Sequence, residues 1–306
     1  MKTQNGFTLL ENIKELKEYL DKQKPTRTIN KLQVHHMDLP NYTTWNTTDK
    51  RVYGSNRELG RTKALDDYGK TTWKYSDGHG HYIAQHFNVF PNGKVTTGRH
   101  LNSTPVGIKG WNTGAICIEI YGCFDKGKDK MTAEQRQTVI ALYSLLAHKF
   151  NIPINANGIR PHCWFTAGGT YLGNYNANKS AKTCPGTNFM GFGNTKKAFD
   201  EHFYPLVKAY KYGSTTSTTT TTDEKQDTAK EDATTNKTKY LRVLKNVNMH
   251  KTPDFNSSSV CGEAKAGTAL TIVKKVDVKD SKTDMYLVKS GVYITASTKY
   301  VEVFEK

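Results

Sequence analysis

Hydrophobic residues in the first two thirds of the chain alternate between helical and strand spacing. The pattern Thr8-x-x-Glu11 favours a capping box and predicts a helix over roughly 8–22. A second capping box at Thr132 and Gln135 predicts a long helix, and a last helix is predicted over about 195–210. The long helix should bury one apolar face, which holds Val139, Leu142, Tyr143, Leu146 and Phe150.

Apolar runs between these helices predict strands at about 30–37, 82–90 and 114–121. The turn residues Pro91-Asn92-Gly93 follow the second run and predict a hairpin with residues 94–97. Because helices and strands alternate along this part, it is predicted to be an α/β domain in which helices flank a central mixed β-sheet.

Side-chain alternation within two of these strands separates apolar from polar positions. In the first strand, Gln33 and His35 point away from Leu32 and Val34, whereas His36 shares the apolar face. In 116–121 the three isoleucines face one way, and Cys117, Glu119 and Tyr121 face the other. If helices cover the apolar faces, His35 and Glu119 share the opposite, open face of the sheet.

Residues 214–239 contain no aromatic or large aliphatic residue and include the run Thr218–Thr222. Such a segment cannot bury enough surface to offset its ordering entropy, so a flexible linker is predicted there. The chain is therefore divided into 1–213 and 240–306. The second part shows short strands at about 240–250, 268–276, 284–289 and 299–304, which predict a small all-β barrel.

Composition narrows the class of protein. The net charge of +16, carried mostly before residue 214, implies an anionic partner, but no basic run or basic helix favours nucleic acid. The five cysteines are odd in number and lack CxxC spacing, so we expect free thiols and folding in a reducing compartment. No signal peptide or membrane-spanning segment is visible, so membrane insertion is not expected.

Three residues far apart in sequence could form a metal site. His35, His162 and Cys184 would leave one tetrahedral position open for water, as catalytic zinc requires. Each has another interpretation when taken singly. A lone strand histidine is often a hydrogen-bonded structural residue, a cysteine before Pro-Gly is often a small buried hydrophobe, and Glu119 could be a solvated strand residue.

Residues 28–190 resemble the zinc amidase family that includes phage lysozyme-type amidases and peptidoglycan recognition proteins. The resemblance rests on four blocks in the same order as in the family: Leu32-Gln33-Val34-His35-His36, Gln85-His86-Phe87 with Pro91-Asn92-Gly93, Ala115-Ile116-Cys117-Ile118-Glu119-Ile120, and His162 with Lys182-Thr183-Cys184-Pro185-Gly186. All five of the family's site positions are filled here.

The resemblance implies an N-acetylmuramoyl-L-alanine amidase that cuts the lactyl amide of peptidoglycan. It implies that His35, His162 and Cys184 bind Zn²⁺, that Glu119 is the general base, and that Lys182 stabilises the oxyanion. One branch of the family has a catalytic tyrosine where this chain has Gln85, so the version with Glu119 is favoured. His86 is expected to be structural or adjacent to the substrate rather than a fourth ligand.

The C-terminal part resembles bacterial SH3-like wall-binding domains. The resemblance lies in Asn246-Val247-Asn248-Met249-His250-Lys251-Thr252-Pro253 and Lys265-Ala266-Gly267-Thr268. It implies binding to the wall, with a spacer or oligomerisation module as the alternative.

Peptidoglycan and its anionic wall polymers are thus the expected partners. The missing signal peptide favours a phage endolysin that is made in the cytoplasm and released through a holin pore to lyse the host. A bacterial autolysin and a non-catalytic peptidoglycan-binding protein remain alternatives. Non-catalytic members typically lose the cysteine ligand, and Cys184 is present here.

Overall fold

The computed structural model describes residues 1–212, 239–250, 252–278, 281, 283–288 and 292–305. The chain divides into two compact units, Met1–Thr216 and Ser217–Lys306, and each is described by itself. Nearly all of the predicted linker lies in residues 213–238, outside the described residues, and Lys239 already opens a strand. The predicted linker and domain boundaries stay predictions.

The first unit is built on a seven-stranded mixed sheet, which confirms the predicted α/β class. Its strand order is β1-β2-β5-β4-β6-β3-β7. Strands β4, β6, β3 and β7 run parallel, and the remaining pairs are antiparallel. The strands are β1 Lys2–Gln4, β2 Phe7–Leu10, β3 Lys31–His36, β4 Phe87–Val89, β5 Val95–Thr97, β6 Ala115–Ile120 and β7 Ile159–Pro161.

Helices flank this sheet, and the longer ones contribute residues to its buried clusters. They are α1 Ile13–Lys22, α2 Arg57–Tyr68, α3 Ala133–Lys149 and α4 Tyr204–Ala209. Shorter α-helical turns cover Tyr42–Thr44, Lys50–Tyr53 and Lys196–Ala198, and π-helical turns cover Trp45–Asp49, Gly69–Trp73 and Phe199–Phe203. The 3-10 turns are Gly54–Asn56, His162–Trp164 and Phe189–Gly191.

The two faces of the sheet are covered differently. The apolar residues of β3 and β6 form one buried core with α1 and α3, whose members include Leu16, Leu20, Leu32, Val34, Ile116, Ile118, Val139 and Leu142. A smaller cluster of Phe7, Leu9, Leu59 and Ile83 packs α2 beside β2. The helix α2 contacts β2 and β5, whereas β6 and β3 lie farther along the sheet, beyond β4.

The predicted start of the first helix was wrong. Residues 7–10 form β2, which pairs with β1 and β5. Their alternate side chains fill two different clusters, Leu9 in the small one and Leu10 in the main core, as strand geometry allows. The helix begins at Ile13 after Asn12, whose side chain accepts a hydrogen bond from the Glu15 N–H at 3.0 Å.

Of the two hydrogen bonds in the predicted capping box of α3, the structure contains the one to Thr132 Oγ1 and lacks the one from the Gln135 side chain. Thr132 Oγ1 accepts from the Gln135 N–H at 3.1 Å. The Gln135 side chain does not return to Thr132. It donates to the carbonyls of Val89 and Tyr121 at 3.0 and 2.9 Å, which ties the start of α3 to the ends of β4 and β6. Phe150 caps the C-terminal end of the helix and is only partly buried.

The hairpin was predicted correctly, although β4 is shorter than expected. Phe87–Val89 pairs with Val95–Thr97 across the turn at Pro91-Asn92-Gly93. Residues before β4 belong to a loop, because the Asp66 carboxylate of α2 accepts hydrogen bonds from the Tyr82 and Ile83 N–H groups at 2.5 and 2.9 Å. These bonds take the place of a strand ladder.

The second unit contains a seven-stranded antiparallel arrangement in the order β10-β9-β13-β12-β11-β8-β14. Its strands are β8 Lys239–Val243, β9 Val247–His250, β10 Val260–Ala264, β11 Ala269–Val276, β12 Met285–Val288, β13 Tyr293–Thr295 and β14 Val301–Glu305, with a 3-10 turn at Ser257–Ser259. Prediction missed β10 and β13. The all-β class is confirmed, whereas the SH3-like barrel stays a prediction.

Candidate metal centre and active site

The ends of three neighbouring parallel strands form the centre of the site. His35 lies opposite Glu119 in the register of β3 and β6, and His162 follows Pro161, the last residue of β7. Parallel strands present their C-terminal ends at the same edge of a sheet. The site therefore lies where the topology gathers residues that are distant in sequence.

Three potential ligands meet at this edge. The ligand atoms of His35, His162 and Cys184 all lie within 4.8 Å of one another. Cys184 Sγ is 3.6 Å from His35 Nδ1, and the two imidazole rings are 5.0 Å apart at an angle of 68°. The structure thus brings together all three residues that sequence analysis singled out as ligands.

The loop that carries Cys184 is fixed on both sides. The Cys163 N–H donates to the Cys184 carbonyl at 2.8 Å, and the His36 N–H donates to Cys184 Sγ at 3.3 Å. The Asp125 carboxylate accepts from the Thr183 hydroxyl at 2.9 Å and from the Thr187 N–H at 2.8 Å. Sequence analysis missed Asp125, because no local pattern relates it to the loop.

Gly186 in this loop is required by its surroundings. Its φ of +112° lies in the left-handed region. A Cβ at this position would also lie 2.4 Å from the Phe124 carbonyl. The Cys-Pro-Gly sequence therefore lets the loop pack closely enough for the sulfur to reach His35.

The protonation states of the cluster suit a cation. Burial lowers the pKa of His162 to about 4 and lowers the pKa of His35 well below its usual value, so both imidazoles are neutral near pH 7. Burial raises the pKa of the Cys184 thiol, with a smaller contribution from Glu119. Two neutral imidazoles and a thiol that accepts a backbone N–H form a donor set that fits Zn²⁺, whose charge would favour the thiolate.

A carboxyl group and an ammonium group border this cluster. Glu119 Oε1 is 3.8 Å from His35 Nδ1, and the Glu119 side chain is 20% exposed, as a group that meets solvent and substrate requires. Burial raises the pKa of Glu119 to about 8, while the positive charge of Lys182 lowers it. Lys182 is exposed and has no ion-pair partner among the described residues.

Other residues that sequence analysis considered lie outside the cluster. His86 is buried: its Nδ1 accepts from the Cys117 N–H at 3.0 Å, and its Nε2 lies 3.0 Å from the Ser103 carbonyl. The Tyr121 hydroxyl donates to Asp49 at 2.6 Å. Gln85 is buried and donates to Asn88 at 2.5 Å.

Comparison with known families agrees with this geometry. The profile described as N-acetylmuramoyl-L-alanine amidase matches residues 25–187, just over half of the chain. The chain belongs to this amidase family. A second profile, for a domain of unknown function, matches residues 233–301 of this chain. No curated protein sequence matches this chain.

Solved structures similar to this chain include both enzymes and recognition proteins. N-acetylmuramoyl-L-alanine amidase LysC from Clostridium intestinale URNW is 22% identical, with a TM-score of 0.35 over 53% of this chain and 79% of LysC. Wild-type Drosophila PGRP-LB is 13% identical, with a TM-score of 0.38 over 54% and 78%. Bumblebee PGRP-SA is 14% identical, with a TM-score of 0.39 over 60% and 90%.

Proposed function

We propose that this member of the family is a zinc-dependent peptidoglycan hydrolase. Its substrate would be the amide between the lactyl group of N-acetylmuramic acid and L-alanine. The observation that carries the proposal is the group of His35, His162 and Cys184 beside Glu119. A glycosidase would need a pair of carboxylates flanking a sugar bond, whereas this centre offers one carboxylate beside a metal-binding set.

The roles follow from the chemistry of each side chain. His35, His162 and Cys184 would hold the ion, which when bound supplies Lewis acidity to the reacting water and to the scissile carbonyl. In its ionised form, which the positive charge of the ion would favour, Glu119 accepts a proton from the water as the water oxygen attacks the carbonyl carbon. The same carboxyl returns the proton to the nitrogen of L-alanine as the C–N bond breaks.

Lys182 would stabilise the negative charge that develops on the carbonyl oxygen. Its ammonium group is free of ion pairs within the described part of the chain, and its charge acts on Glu119, His35 and His162. A cation placed beside the developing oxyanion lowers the barrier by stabilising its negative charge. The thiol of Cys163 is not a nucleophile in this scheme, because burial raises its pKa and it donates to the Asn194 carbonyl at 3.5 Å.

Digestion of purified walls tests the bond that is cut. We expect new N-terminal alanine without new reducing sugar ends, loss of that release in chelator, and recovery on addition of zinc. Reducing ends that rise with lysis and resist chelator would instead indicate a muramidase.

We propose further that the second unit binds the wall. It has its own buried cluster of Leu241, Val243, Val247, Ala264, Val288, Ile294 and Val301. Exposed Phe255 and Tyr300 are available for contact with a wall polymer.

No helix within the described ranges is long and apolar enough to cross a membrane. The endolysin and autolysin roles stay predictions.

A further inference from the structure

A buried glutamine contacts the first of the metal-binding residues. Gln33 lies two positions before His35 on β3, so both side chains project from the same face. The Gln33 side chain is fully buried, and its Oε1 lies 3.3 Å from His35 Nε2. A primary amide in this place must satisfy both its oxygen and its NH2 group.

The surroundings fix which way this amide points. Gln33 Nε2 donates to the Trp111 carbonyl at 3.0 Å, and that oxygen can only accept. Nε2 also donates at 3.0 Å to Asn112 Oδ1. That atom must be the oxygen, because it accepts from the Gly107 and Ile108 N–H groups at 3.0 and 2.9 Å. A flipped amide would place its oxygen against two acceptors.

The orientation of the amide determines the tautomer of the histidine. Since Gln33 Oε1 accepts, His35 Nε2 must carry the ring proton. His35 Nδ1 then presents its lone pair toward Cys184 Sγ, 3.6 Å away. We propose that Gln33 is a positioning residue, which holds His35 in the Nε2–H tautomer and so prepares Nδ1 for the metal ion. This inference rests on the metal centre of the proposed function.

Packing keeps the amide in place. A Cβ at Gly107 would lie 2.0 Å from Gln33 Oε1 and 3.0 Å from Cys117 Sγ, so only glycine leaves the oxygen its room. From the other side of the sheet, the Tyr143 hydroxyl of α3 donates to the backbone carbonyl of Gln33 at 2.9 Å. The contact to His35 therefore belongs to a rigid part of the fold.

The test uses the full-length, metal-free protein with histidines labelled with 15N in the ring. In wild type, the NMR shifts of His35 should show an unprotonated Nδ1 and a protonated Nε2. Gln33→Met keeps the shape but removes the acceptor, so the tautomer preference should be lost. The dissociation constant for Zn²⁺ should rise about 10- to 100-fold, the usual effect of losing such a partner.

Gln85→Met is the matched control, because Gln85 is also buried but donates to Asn88. This variant should change neither the tautomer of His35 nor the dissociation constant for Zn²⁺. A wild-type His35 protonated on Nδ1 would overturn the proposal, and this measurement needs no variant to fold. Unchanged zinc affinity in Gln33→Met, or weaker affinity with an unchanged tautomer, would overturn it as well. Absence of zinc binding by wild type would refute the metal centre of the proposed function. The metal-free spectrum tests the His35 tautomer separately, because it does not depend on zinc binding.

Discussion

The two units of the chain differ in how many polar side chains they bury. The first unit buries many of them, including His35, His36, Gln33, Asp49, Glu58, Asp66, His86 and Asn88. In the described part of the second unit, His250 and Ser259 are the buried polar residues, and they bond to each other at 2.8 Å. The other residues that form the buried core of the second unit are apolar.

Topology explains why the candidate metal centre lies in the first unit. Parallel β6, β3 and β7 end at one edge, so residues from three distant segments converge there. Antiparallel strands alternate in direction and do not gather equivalent ends in this way. Under the proposed function, the first unit carries the chemistry and the second unit attaches the protein to the wall. The following experiments test that division, from the largest expected effect to the smallest.

Cys184→Ser should abolish stoichiometric zinc binding and hydrolysis, because serine is a much poorer zinc ligand than a thiolate. Metal analysis and wall digestion measure the two effects. Cys163→Ser is the control: this neighbouring buried cysteine lies outside the cluster, and serine can keep its bond to the Asn194 carbonyl. Full zinc content together with full activity in Cys184→Ser would remove this cysteine from the centre.

Glu119→Gln should retain zinc but lose about 10²- to 10⁴-fold in kcat, the usual contribution of a general base. Glu134→Gln, at an exposed glutamate in the first turn of α3, should change neither quantity. Near-normal activity of Glu119→Gln would transfer the base role to another group. Tyr121 is a poor alternative, because its hydroxyl donates to buried Asp49.

Lys182→Ala should lower kcat about 10²- to 10³-fold, as expected for removal of a group that stabilises an oxyanion. Lys179→Ala removes an exposed lysine from the same stretch of chain and should have little effect. Steady-state kinetics on a soluble muropeptide separate the two variants. Equal losses would indicate general charge attraction rather than a positioned ammonium group.

Removal of residues 240–306 should leave hydrolysis of soluble muropeptides unchanged. Activity on intact walls should fall by about 10²-fold, because attachment raises the effective concentration of the enzyme at its substrate. The fragment 240–306 alone should sediment with walls without lysing them. If it stays in solution, the second unit is a spacer or an oligomerisation module, and the comparison between the units changes accordingly.

The metal-free protein should show a pH effect that belongs to the first unit. Burial raises the pKa of Glu119 from 4.5 to about 8, so between these values the folded state keeps a proton that the unfolded state has lost. The stability that this proton contributes is complete below about pH 4.5 and is lost as the pH rises to about 8.

Glu119→Gln avoids this loss, so its advantage over wild type should grow between pH 5 and pH 8. Between pH 5 and pH 8 the difference in unfolding free energy should increase by about 3–4 kcal/mol, since each pKa unit between 4.5 and about 8 corresponds to about 1.4 kcal/mol. Thermal unfolding in chelator at several pH values measures it. A difference that does not depend on pH would show that the carboxyl group titrates normally.

The sequence by itself determined the α/β class, the hairpin, the Thr132 cap and the face that His35 shares with Glu119. Each of these depends on local spacing, turn chemistry or alternation within one strand. The family resemblance supplied the set of His35, His162 and Cys184, which the fold then brought together.

Only the tertiary structure decided how these residues are prepared for chemistry. The amide of Gln33 is oriented by Trp111 and Asn112, and the Cys184 loop is held by Asp125, through hydrogen bonds that span 58 to 79 residues. The first helix was also placed too early, because β2 is stabilised by pairing with the distant β5. The pKa of Glu119 depends on burial by the whole unit, and no local pattern in the sequence records that burial.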